Sequence, residues 1–184
     1  MTLDEKLKKI DIERILVVDD ASENIEAAKQ YFASLEKEGI QVDYAQSAQE
    51  AKQKIQEAFG ENQRYKLILS DLEMEDKKSG LEVVREGFKH FGFGIIVTGR
   101  NYHVPDDHHH GPMTHLEPDI GFVNGRKSKP EVWAQVAQKA IDYLSEGEGK
   151  NTFASLKKVG KFIPAPVDGI ADSMMLLYFK LEKD

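Results

Sequence analysis

Two apolar runs in this chain stop on carboxylates. "RILVVDD" ends on Asp19 and Asp20, and "YKLILSD" ends on Asp71. A third run, "GIIVTG", delivers the hydroxyl of Thr98, and the segment after a fourth, "DIGFVNG", carries Lys127 and Lys129. Three carboxylates gathered at one edge repel one another, which raises their pKa values unless a cation neutralises them. A hard divalent ion bound through oxygen is the simplest remedy, and Mg²⁺ with one or two carboxylates and several waters fits. With a lysine and a hydroxyl beside it, such a place could also hold the three outer oxygens of a phosphoryl group. The plainer reading of Asp19 and Asp20 is that an acid after a strand caps the next helix. That accounts for one of the pair, but not for Asp71 and Thr98 standing at equivalent strand ends.

The elements that must carry these groups alternate. "RILVVDD", "IQVDYAQ", "YKLILSD", "GIIVTG" and "DIGFVNG" have the short, β-branched composition of strands buried on both faces. Between them lie helical patterns. "SENIEAAKQYFASLEKEG" spaces Ile25, Ala28, Phe32 and Leu35 on one face and ends at Gly39, a C-cap residue. "SAQEAKQKIQEAFGEN" opens with a capping box of Ser47 and Glu50. "GLEVVREGFKHFG" aligns Leu81, Val84 and Phe88, and "KPEVWAQVAQKAIDYLSEG" starts with Pro130 in its first turn. Ahead of the first strand, "LDEKLKKIDIE" reads as a short helix or a frayed lead-in. Such alternation predicts an α/β fold with a doubly wound parallel sheet, in which ligands collect beyond the carboxyl ends of the strands.

With 184 residues, 40% hydrophobic and 31% charged, the chain suits one globular domain with an extension. No apolar run is long enough to span a bilayer and the charged start is unlike a signal peptide, so a cytoplasmic protein without membrane contact is expected. The absence of cysteine excludes disulfides, thiol catalysis and thiolate metal sites. A net charge of -7 argues against general attraction to nucleic acid. From Lys150 onward six Lys face four acids, giving +2 and leaving -9 on the body, since -7 minus +2 is -9.

In order and at strand ends, "ILVVDD", "LILSDLEM", "SGLEVV", "IIVTG" and "KP" resemble the receiver domain of two-component response regulators over about residues 14–147. The resemblance implies a flavodoxin-like (βα)5 fold with five parallel strands in the order 2-1-3-4-5. It divides the chain into a receiver domain at 1–149 and a C-terminal extension at 150–184. It also implies that Asp71 accepts a phosphoryl group from a sensor histidine kinase or phosphotransfer protein. Asp20 would bind Mg²⁺ directly, Asp19 would assist, and Glu73 would offer its backbone carbonyl. Thr98 would hold a phosphoryl oxygen, and a lysine would neutralise another. Lys129 precedes Pro130 as the family's lysine does, whereas two extra polar residues after the strand leave Lys127 open as the one that reaches.

Other departures concern signalling. Asn124 or Arg126 stands where the family has its aromatic switch, with Phe122 the nearest aromatic, and the loop "EMEDKKSG" lacks a proline. A His-rich insertion at about 101–118 replaces the family's fourth helix. Its His103, His108, His109, His110, His115, Asp106 and Asp107 have the chemistry of a zinc or nickel site. Three adjacent histidines do not easily face one ion, however, and no i, i+4 pair fixes the geometry, so a flexible polar loop or partner-binding lid is the favoured expectation. The tail is too short for a DNA-binding output module. Its Met174, Met175, Leu177 and Phe179 call for burial on the body or against a second copy, which makes a homodimer an option. Two rivals follow: a degenerate pseudo-receiver acting as an interaction module, and a haloacid-dehalogenase-like phosphatase. The second suits Asp71 and Glu73 two apart, but the chain has its acidic pair before the nucleophile.

Overall fold

The computed structural model describes residues 2–99, 120–173 and 177–182. The lead-in is a helix, α1 (Leu3–Lys9), closed at its start by a reciprocal capping box in which Thr2 and Glu5 bind each other's backbone N–H. It is followed by β1 (Arg14–Val18), α2 (Ser22–Lys37), β2 (Gln41–Ala45), α3 (Ala48–Gly60), β3 (Leu67–Ser70), α4 (Ser79–Lys89) and β4 (Phe93–Thr98). Beyond it come β5 (Gly121–Asn124), α5 (Pro130–Ser145), α6 (Gly149–Gly160), α7 (Asp168–Ser173) and β6 (Leu177–Glu182). The His-rich insertion, together with Met174 and Met175, lies outside the described residues.

The local signals act largely as their chemistry requires. Pro130 occupies the first turn of α5, and Ser47 Oγ accepts the Glu50 N–H at the start of α3. The expected box at α3 is only half made, because the Glu50 carboxylate takes the N–H of Gln46 (2.9 Å) rather than that of Ser47. Gly39 ends α2 at a positive φ of 88°. The same turn recurs without glycine after α1, α3 and α4, at Asp11 (φ 65°), Asn62 (59°) and Phe91 (62°). In each, the left-handed residue and its successor donate back to the last turn of the helix, as Gln63 does to Ala58 and Gly92 to Gly87. A phenylalanine in this conformation is strained, and its burial offsets the cost.

All strand pairings are parallel, and β1 shows why its run has no polar alternation. Ile15 and Val17 join the cluster that includes Phe32 of α2 and Trp133 of α5, while Leu16 and Val18 meet Ala48, Ala51 and Ile55 of α3. The order 2-1-3-4 stands as the sequence implies, but the neighbour of β4 is corrected. The sheet runs β2-β1-β3-β4-β6-β5, with β6 of the C-terminal extension lying between β4 and β5. The apolar run "LLYF" has the composition of a strand covered on both faces, and a central position pairs both of its backbone edges.

The extension reaches that position along the amino end of the sheet. Phe153 of α6 meets Phe93 edge-on (5.9 Å between ring centres), and Phe93 in turn meets Phe88 of α4 (5.6 Å). Lys157 donates to the Ile10 carbonyl, and Arg64 donates to that of Gly160. The Val167 N–H binds the Lys89 carbonyl (3.0 Å) and Lys89 pairs with Asp168 (3.0 Å), which seats α7 against α4.

Candidate functional site

The parallel register brings the acids together. Val18 lies opposite Ser70, so the next residues on the two strands, Asp19 and Asp71, leave the sheet side by side, and the Asp71 N–H binds the Val18 carbonyl (2.8 Å). Asp19, Asp20 and Asp71 each offer a carboxylate oxygen within 4.8 Å of the others'. Asp19 is 1% exposed and divides its two oxygens. Oδ1 accepts the Ala21 N–H (3.1 Å) and the Asn24 amide (2.8 Å), which fixes the start of α2. Oδ2 is buried against the ammonium of Lys127. The helix-capping reading thus holds for one oxygen and leaves the other for the cluster. Asp20 is exposed.

Lys127 is the cation of this site. Its side chain is 10% exposed, pairs with Asp71 Oδ1 (2.6 Å) and touches Asp19 Oδ2, so one ammonium bridges two carboxylates from two strands. Lys129 starts α5, is exposed and makes no ion pair among the described residues. The topology explains the choice. Inserting β6 moves β5 outward by one strand spacing, about 4.8 Å, and each added loop residue extends the chain by up to about 3.8 Å. A lysine at the very end of β5 would therefore fall short of Asp71, whereas one three residues into the following loop reaches it. The loop is held from below by Trp133, whose indole N–H donates to the Lys127 carbonyl (2.8 Å).

The remaining candidates divide. Thr98 is buried at the end of β4, where its backbone partner is Lys180 of β6 and not a residue of β5. Phe122 is 47% exposed, and it stands opposite Lys180 on the other side of β6. Glu73 is half-buried in the loop after Asp71. That loop is ordered by its own polar groups: the Ser79 hydroxyl accepts the Asp76 N–H (2.8 Å), Asp76 Oδ1 accepts the Lys78 N–H (2.6 Å), and Glu75 accepts the N–H of Ala48 at the start of α3 (2.8 Å). It closes at Gly80, whose N–H binds the Leu72 carbonyl (2.9 Å), and a Cβ there would lie 1.8 Å from the Asp71 carbonyl oxygen. Nothing larger than glycine fits behind Asp71.

Burial pushes the Asp71 carboxyl above its ordinary value, and the charge of Asp19 adds to this, while Lys127 and the Leu72 N–H pull it back. One ammonium among three acids leaves net negative charge on oxygens crowded within 4.8 Å of one another. A small hard cation fits that donor set. Asn24, Trp133 and Gly80 are the positioning residues that motif reasoning missed as such. Only Gly80 had a local signal, in "SGLEVV".

Among the described residues no helix is long and apolar enough to cross a membrane. No curated protein matches the chain. Among solved structures, a response regulator receiver domain protein (CheY-like) from Methanospirillum hungatei JF-1 is similar, at 20% identity, covering 80% of this chain and 98% of that one with a TM-score of 0.41. The model of the response regulator receiver domain matches residues 15–101, which span β1 to β4 and contain Asp19, Asp20, Asp71 and Thr98. Over that segment the chain is similar to the response regulator receiver domain family.

Proposed function

We propose that this protein is a phosphoacceptor of a two-component or phosphorelay system. Asp71 takes a phosphoryl group from a sensor histidine kinase or phosphotransfer protein, and the signal leaves by protein–protein contact. The observation that supports this most is the Lys127 ammonium bridging Asp19 and Asp71 beside Asp20. An Asp71 oxygen attacks the phosphorus of a phosphohistidine, the P–N bond breaks with its electron pair returning to the imidazole, and an acyl phosphate forms. Asp19, Asp20, Asp71 and the Glu73 carbonyl would hold Mg²⁺, which supplies neutralisation of charge on the phosphoryl oxygens. Lys127 exchanges Asp71 Oδ1 for a phosphoryl oxygen, and the Thr98 hydroxyl donates to another. The chain contributes position and charge, and its one chemical event is transfer onto its own carboxylate rather than turnover of a substrate.

A second reading is favoured by one observation. With β6 between β4 and β5, Thr98 and Phe122 lie on opposite sides of a foreign strand, which suits an interaction module that works without phosphorylation. Acetyl phosphate or beryllofluoride with Mg²⁺ separates the two. The phosphoacceptor reading expects a gain of one phosphoryl mass with acetyl phosphate and a spectral shift with beryllofluoride, both abolished by Asp71→Asn. Absence of both in the wild type leaves the interaction module.

A further inference from the structure

At the opposite end of the sheet from Asp71 lies a cleft of about 640 Å³, within the size range of small-molecule sites. Its walls bring together Arg14 and Lys66 at the strand starts, Arg64 before β3, and Lys157 and Lys161 from the extension. Asp11 and Glu13 are the acids of the lining, which carries +3 in a chain whose total is -7, and Asp43 behind it pairs with Arg14 (2.8 Å). Part of this charge serves the fold, since four helices end at this edge and cations suit helix C-termini. Lys157 donates to Ile10, Arg14 to Gln63 and Arg64 to Gly160. Each of those contacts uses one donor of a group that has three or five, so donor capacity remains. Arg64 Nε is buried with no acceptor among the described residues, and its guanidinium is clamped over Phe59 (4.7 Å) and Phe91 (5.5 Å). Lys161 is exposed and has no ion-pair partner among the described residues.

These cations face one another across the seam between body and extension. Burial, Lys66 and Lys161 together hold the Lys157 ammonium below its ordinary value against the pull of Asp11. A ligand with several negative oxygens would satisfy both walls at once and fasten α6 to the body. We propose that this cleft binds a small molecule recognised through its phosphate groups, and that binding clamps the extension that ends in β6. The site is separate from the acidic cluster and does not depend on Asp71 being phosphorylated.

Isothermal titration of the full chain with pyrophosphate and with ADP, in EDTA at about 0.1 M salt, tests this. Saturable one-to-one binding of either probe is expected, with a melting temperature that rises with ligand concentration. Lys161→Glu, an exposed change, should weaken binding at least tenfold, and Lys161→Ala by less. Lys139→Glu, the same charge change on exposed α5 surface, and Asp71→Asn should leave it intact. The proposal is overturned if neither probe binds, if Lys139→Glu weakens binding as much as Lys161→Glu, or if Asp71→Asn abolishes it.

Discussion

The two ends of this sheet are electrical opposites built by the same strands. At the carboxyl end three aspartates share one lysine, and burial leaves Asp71 above its ordinary value. At the amino end five cations line a cleft that holds two acids, and Asp11 is held below its ordinary value. In both places the minority charge bridges parts that are distant in the chain. Lys127 ties the loop after β5 to β1 and β3, and Asp11 meets Lys66 (2.9 Å) and Lys157 of the extension (3.9 Å). The difference lies in access. Lys127 is 10% exposed and Asp11 is 40% exposed, so screening by water is weak at the first bridge and strong at the second. Removing the minority charge should therefore cost far more at the carboxyl end.

The largest effect expected there comes from geometry. In Gly80→Ala the new methyl would meet the Asp71 carbonyl at 1.8 Å, a backbone atom that no rotamer change can move aside. A loss of about 3 kcal/mol or more is expected from urea denaturation, with the capacity of Asp71 for beryllofluoride lost in the folded fraction. Wild-type stability in this variant would show that α4 does not press on the loop. Next comes the cation itself. Lys127→Met leaves Asp19 and Asp71 buried without a countercharge and should cost about 3 kcal/mol, whereas Lys129→Met should fall within about 0.5 kcal/mol of wild type. Millimolar Mg²⁺ should restore part of the loss in Lys127→Met, seen as a rise in melting temperature greater than in wild type. Equal costs at the two lysines would undo the assignment of Lys127.

The contrast between the two lysines also marks where the sequence stops speaking. The acids were legible because each ends a short apolar run, and a strand end is a local property. Which lysine reaches them was not, because the answer depends on β6, a strand far along the chain that begins only at Leu177. The tail's need for burial was plain in "MMLLYF", but a composition suited to a buried strand says nothing of its neighbours. Once β6 stands beside β4, the two extra residues of "GFVNGRKSKP" become the span that the displaced loop requires. The turns divide in the same way. Gly39 announced itself, while Asp11, Asn62 and Phe91 adopt the same left-handed geometry because packing imposes it. Asn24 and Trp133 act through single hydrogen bonds, which leave no trace in spacing.

The smallest effect tests the amino end. Burial tends to raise the Asp11 carboxyl, but Lys66, Lys157 and Lys161 outweigh it, so its folded pKa lies below the ordinary 3.8. A carboxyl depressed by folding contributes stability that is fully present above the unfolded value and is lost as pH falls through the folded one. Asp11→Asn removes that contribution while keeping a side chain that tolerates a φ of 65°. The variant should be less stable than wild type by up to about 1 kcal/mol at neutral pH, as for other solvent-reached ion pairs. The gap should hold down to about pH 4, begin to close as pH falls below 3.8, and shrink at high salt at every pH above that. Denaturation midpoints of the two proteins across pH 3 to 7 measure it. A gap that does not shrink at all as pH falls below 3.8 would mean that Asp11 acts through its turn geometry, and the electrical contrast between the two ends would then rest on the cations alone.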